Sequence, residues 1–203
     1  MITVHHLVVG RSLFTVWLLE ELGVDYALEI YHRLETGRAP ASLRQVHALG
    51  KSPVIDDDGV VVHESGAIAA YLLDRYDPEH RLAPRRDDPR WPRFVQWLHY
   101  PEGSAFAPLL FHLLAMRSGE PAGDSTRAFA AAEAALHLGY IRDALVDQDW
   151  VLGEFSAADI GLAYICSLAE RLEMLGPYPP LVAYLQRVRA RPAFRRALER
   201  SGG

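Results

Sequence analysis

ITVHHLVVGRSLFTVWLLEELGVDYALEIY, residues 2–31, changes its period twice. Residues 2–9 are β-branched and apolar enough for a buried strand, which Gly10-Arg11-Ser12 ends. Phe14, Trp17, Leu18 and Leu22 then recur at helical spacing, and Gly23 stops the helix. Tyr26 to Tyr31 reads as a second strand. A strand, a ten-residue helix and a strand make a βαβ unit, so the two strands run parallel.

Outward from this unit the pattern predicts a mixed four-stranded sheet. The loop from Arg33 to Pro40 leads into a short helical piece ending near His47. Pro53–Asp56 and Val60–His63 form two short strands around Asp57-Asp58-Gly59, and Asp-Gly between apolar runs signals a hairpin. A helix follows, with Ile68, Leu72 and Tyr76 on one face. Leu82 to Pro92, rich in Pro, Arg and Asp, reads as a linker. Beyond it every pattern is helical, with breaks at Gly119–Gly123, Asp147–Gly153 and Gly176–Pro180. The expected division is residues 1–80, a linker at 81–92, and an all-helical domain at 93–203. Ser156-Ala-Ala-Asp159 has capping-box form, and Phe155 and Ile160 are placed for a hydrophobic staple.

Composition narrows the function. Half of the 203 residues are hydrophobic and 23% are charged, as in a globular protein with a proper core. A net charge of −5, with no basic run interleaved with aromatics, argues against nucleic acid as a partner. Met1 to His6 lacks the basic start and apolar core of a secretory signal. The longest uncharged apolar stretch, Gly103 to Met116, falls short of the roughly 20 residues that a bilayer span requires. Cys166, the single cysteine, excludes an intrachain disulfide or C-x-x-C pair and suits a reducing compartment. The cytoplasm is the expected location, with no membrane partner. His5 and His6 have no spaced carboxylate or cysteine, so no metal site is expected.

Five segments carry a resemblance. Trp17-Leu-Leu-Glu-Glu-Leu22, Leu49-Gly-Lys-Ser-Pro-Val-Ile55, Glu64-Ser-Gly-Ala-Ile68 and Phe155-Ser-Ala-Ala-Asp-Ile160 resemble successive signatures of glutathione S-transferases. Arg191-Pro-Ala-Phe194 resembles the start of that family's last helix. Five pieces in register over nearly the whole chain outweigh any one of them. The resemblance implies a thioredoxin-like first domain that binds glutathione or a related low-molecular-weight thiol as co-substrate. The helical domain then supplies the pocket for an electrophilic small molecule. It also implies a homodimer, in which the helix Gly66–Tyr76 of one copy packs against Arg93–Leu98 onward of the other. Two alternatives stay open: a specialised isomerase or lyase on the same scaffold, and a non-catalytic scaffold or regulator.

The chemistry of the segments is consistent with a γ-glutamyl tripeptide. Glu64 can pair with its ammonium, while Ser65 and the N–H groups opening its helix can take the neighbouring carboxylate; the plainer reading is a helix cap beside a solvated glutamate. The residue before a proline is pushed extended, so the Ser52 backbone can offer N–H and C=O to a peptide. The resemblance implies a cis bond to Pro53; otherwise Pro53 simply starts a strand. Lys51, the only lysine, suits the glycyl carboxylate or is a surface charge.

Activation of the thiol is where the sequence departs from the family. A serine is expected where this chain has Gly10, and an arginine where it has Phe14. Ser12 is the nearest hydroxyl, a candidate catalytic residue or an N-cap. The backbone N–H groups of Arg11 and Ser12 are further donors. Without the hydroxyl, weak turnover of generic electrophiles is expected, and Gly10→Ser should raise it if the backbone there accepts a side chain. His99, Tyr100 and Phe106 are the candidate pocket residues, or else core packing around a kink at Pro101. Cys166, in an apolar helix, reads as inert core.

Overall fold

The computed structural model describes residues 1–117 and 124–202, so the expected break at Gly119–Gly123 lies outside the described residues. The chain divides into two compact units, residues 1–83 with 189–203, and residues 84–188.

In the first unit the strands are β1 (Ile2–Leu7), β2 (Tyr26–Tyr31), β3 (Val54–Asp57) and β4 (Val60–His63). Their helices are α1 (Ser12–Leu22), α2 (Leu43–Val46) and α3 (Ser65–Tyr76). The sheet order is β2-β1-β3-β4, with β1 parallel to β2 and the other two pairings antiparallel. This is the expected mixed sheet. β1 ends two residues sooner than its apolar run, because Val9 takes a left-handed backbone (φ 56°) that leaves the ladder. Val4, Ile55, Val16, Leu19, Leu43 and Leu72 are buried in the core of this unit. α3 is tied to the sheet through buried Asp57, which accepts hydrogen bonds from Tyr71 Oη (2.8 Å) and Tyr76 Oη (2.6 Å).

The second unit carries α4 (Trp91–Tyr100), a π-helical turn (Pro101–Ala105), α5 (Phe106–Arg117), α6 (Asp124–Ala144), α7 (Ala157–Arg171) and most of α8 (Pro179–Ala190). α4 starts inside the expected linker, since a proline such as Pro92 is well tolerated in a first helical turn. Pro101 cannot donate to the preceding turn, and the helix widens there instead of running on. α7 passes so near that a Cβ at Gly161 would lie 2.9 Å from Pro101 Cγ. The capping box forms as expected, with Asp159 Oδ2 accepting from the Ser156 N–H at 3.0 Å.

The far boundary of the expected helical domain is corrected by the last helix, α9 (Pro192–Ser201), which belongs to the first unit and lies along α1. Phe194 meets Trp17 edge-on at 4.9 Å between ring centroids. Arg191 makes a forked pair with Glu21 (2.6 and 2.8 Å), whose carboxylate also accepts from Trp17 Nε1. Glu20 accepts from Arg196, Arg200 and Tyr26 Oη.

Candidate functional site

Strand register gathers the candidate residues at one edge of the sheet. β1 and β2 run parallel and end together at the pair Leu7–Tyr31. β3 begins at Val54, opposite His5, and β4 ends at His63, opposite Val54. The segments leaving this edge are therefore Val8–Arg11, His32–Arg33, Lys51–Pro53 and Glu64–Ser65. α1 and α3 also begin here, so their N-terminal N–H groups face the region beyond the strand ends, where α/β sheets bind ligands.

Each segment has a distinct local geometry. The Ser52–Pro53 peptide is cis. Pro53 is buried, Ser52 half-buried and Lys51 exposed. Ser52 Oγ donates to the His5 carbonyl at 2.8 Å and accepts from the Leu7 N–H at 3.2 Å, which fixes the loop against β1. Glu64 is exposed and precedes α3 with φ 71°, a left-handed value rare for a side-chain-bearing residue. Such outliers concentrate at ligand clamps. Ser65 is the first residue of α3 and does not cap it.

Two features had no signal in the sequence. His47 and His63 meet as a tilted ring pair with centroids 4.0 Å apart, joining the end of β4 to the loop that carries Lys51. Their spacing of 16 residues matches no local period. The Glu64 backbone is the second, since nothing in Glu-Ser-Gly announces a left-handed residue.

Ser12 corrects the sequence expectation. It is fully buried, so its hydroxyl reaches no exposed surface. Oγ accepts from the Leu7 N–H at 3.1 Å and lies 3.0 Å from His6 Nδ1. His6 is itself buried, and that burial lowers its pKa. Ser12 is not an N-cap either, because it sits inside the first turn and the capping position is Arg11. It is a post between β1 and α1.

Gly10 changes the expectation for serine at that position. A Cβ there would fall 2.6 Å from the Leu7 carbonyl oxygen, a distance that real Cβ atoms do not tolerate. The proviso attached to Gly10→Ser is not met in this loop conformation.

The pocket candidates diverge within the second unit. Tyr100 packs against Trp97 and Tyr140 and its hydroxyl meets His137 Nδ1, so it turns toward α6. Phe106 rests on Tyr164 of α7, and His99 is exposed. A groove of about 590 Å³ on the α4–α6 face is lined by Arg93, Gln96, Trp97 and Tyr140 among others, and by none of the three candidates. Cys166 is buried, and burial pushes its thiol up to about 12, so it is not a nucleophile at neutral pH. Among the described residues no group of three metal-ligating side chains occurs, and no helix is long and apolar enough to cross a membrane.

The sheet edge thus carries a carboxylate at Glu64, an ammonium at Lys51 and the cis Ser52–Pro53 peptide. Residues 2–74 match the family model for the glutathione S-transferase N-terminal domain. Glutathione S-transferase 3 of Schizosaccharomyces pombe is 31% identical over 217 aligned positions, covering 98% of this chain and 88% of that protein. The chain belongs to the glutathione S-transferase family. A crystal structure of a family member from Actinobacillus pleuropneumoniae superimposes with a TM-score of 0.92 at 34% identity, over 100% of this chain and 94% of that one. Glutathione S-transferase 1 of Saccharomyces cerevisiae is 25% identical, covering 99% of this chain and 95% of its own length. The fold is the family's thioredoxin-like domain followed by a helical region, and the activity is that of a glutathione S-transferase-like transferase.

Proposed function

We propose that the chain binds glutathione along this sheet edge and transfers it to an electrophilic small molecule. The observation that carries the assignment is the convergence, by strand register, of Lys51, Ser52-Pro53 and Glu64-Ser65 beside two helix N-termini that no side chain caps. In this reading Glu64 takes the γ-glutamyl ammonium. Ser65 and the first N–H groups of α3 take the adjacent carboxylate. The Ser52 backbone pairs with the cysteinyl segment, and Lys51 takes the glycyl carboxylate. The Arg11 N–H points the thiol toward α1. The cytoplasm, where thiols stay reduced, is the compartment that supplies this substrate.

Calorimetric titration with glutathione tests the assignment. Glu64→Ala should weaken binding by about 10- to 150-fold, the loss of a charge-assisted contact worth roughly 1.5–3 kcal/mol. Unchanged affinity in both Glu64→Ala and Ser65→Ala would place the ligand elsewhere.

The proposed assembly is a homodimer in which α3 of one copy covers the α4–α6 face of the other. Leu136 and Tyr140, exposed on α6, and the groove beside Trp97 supply apolar surface for it. Light scattering should give twice the chain mass at micromolar concentration; the mass of a single chain would remove the dimer.

A further inference from the structure

We propose that Arg33 supplies the positive charge that stabilises the thiolate of glutathione bound at the start of α1. The inference rests on the glutathione reading above and adds to it a residue on the opposite side of the site.

Arg33 and Val9 each lie two residues beyond the last paired residues of β2 and β1, Tyr31 and Leu7, so the parallel register sets them side by side. Arg33 Nη2 donates to the Val9 carbonyl at 3.1 Å, and Nη1 donates to the Gly37 carbonyl at 2.9 Å. Two of its five N–H groups are thus used, both on neutral oxygens. No described carboxylate pairs with it. The guanidinium therefore keeps its whole charge, fixed over the loop that opens α1. Nη2 also lies 3.6 Å from where a Cβ on Gly10 would stand.

The charge has a task there because the hydroxyl route is closed. Gly10 has no side chain, and the Ser12 hydroxyl is buried and bonded within β1 and α1. The charged and titratable groups on the elements meeting at this loop are His5 and His6 on β1, Glu29 and Tyr31 on β2, Arg11 at the cap of α1, and Glu20 and Glu21 at the far end of α1. His32, Arg33 and Glu35 follow β2, and Lys51 precedes β3. Of these, Arg33 is the one whose guanidinium is anchored to the Val9 carbonyl. In the step concerned the S–H bond breaks, sulfur keeps the electron pair, and the proton passes to solvent water. No electron is transferred. Arg33 holds the resulting anion, as an opposite charge within about 4–6 Å lowers a pKa by roughly one to three units.

The test is a pH titration of the bound thiol, followed by thiolate ultraviolet absorbance on protein saturated with glutathione. Arg33→Gln should raise the midpoint by about one pH unit, a tenfold loss of thiolate below it. Arg33→Lys, which keeps the charge without the fork, should retain most of the shift. Arg38→Gln removes the same charge from an exposed position on the same loop and should leave the midpoint where it was. Rising ionic strength should raise the wild-type midpoint, because the site is open to solvent. An unmoved midpoint in Arg33→Gln overturns the proposal. So does an affinity loss that is equal at every pH, since that reports a loop tie alone. Should Arg33→Gln fail to fold, an absence of salt dependence in the wild type overturns it. No calorimetric binding of glutathione by the wild type would refute the glutathione reading itself, and this proposal with it.

Discussion

α1 and α7 both begin near a serine, and the two starts are built in opposite ways. At α7 the orphan donors are consumed internally. Asp159 accepts from the Ser156 and Val151 N–H groups, is fully buried, and has Tyr184 Oη against its backbone carbonyl at 2.8 Å. At α1 no side chain caps the helix, a valine sits in a left-handed conformation, and the nearby hydroxyl turns inward. A helix start that satisfies its own N–H groups holds the fold together. One without a side-chain cap presents the positive end of its dipole to an anion. The same residue type serves both, so the presence of Ser near a helix start does not separate the two roles.

The largest expected effect comes from breaking the closed start. Asp159→Ala strands two buried N–H groups and should cost on the order of 3 kcal/mol in chemical denaturation, with glutathione affinity unchanged in the folded fraction. The same carboxyl has a pH signature. Burial raises its pKa to about 6 from the ordinary 3.8. A raised value means that the folded state holds the proton more tightly, so the contribution is greatest below about pH 4 and is lost as pH rises through 6. Wild type should accordingly lose stability relative to Asp159→Asn as pH climbs from about 4 to 6; parallel curves would mean that the group is already ionised when folded.

At the open start the effects are smaller. Gly10→Ser must push the Leu7 carbonyl aside and should cost about 1–3 kcal/mol without gaining activity toward a generic electrophile. A gain in turnover would show that the loop rearranges to present the hydroxyl. Ser12→Ala should cost the least, about 1 kcal/mol, since Ser52 Oγ still accepts from the Leu7 N–H. Abolished turnover with intact folding and affinity would restore Ser12 as the activating group.

Much of this was readable in the chain itself. The period changes in residues 2–31 give β1, α1 and β2, the Asp-Gly turn gives the β3–β4 hairpin, and Ser156-Ala-Ala-Asp159 gives the start of α7. These are local patterns in which propensity and burial agree. What escaped depends on long-range geometry. The place of α9 is set by pairs such as Arg191 with Glu21, and an amphipathic helix carries no mark of which surface it will cover. Val9 and Glu64 adopt backbones that oppose their own preferences, so tertiary contacts must hold them there. Burial of Ser12 follows from the β1–α1 crossing, whereas Gly-Arg-Ser by itself reads as a loop and a cap.

The return of α9 to the first unit sets a delay in biosynthesis. Arg191 stands 170 positions after Glu21, so a ribosome adding 5–20 residues per second finishes the clamp roughly 10 to 30 s after α1 has emerged. For that interval the surface that will hold Phe194 lacks its cover, and Glu20 and Glu21 lack their arginines. The core of the first unit is therefore completed only by a segment made after the whole helical unit.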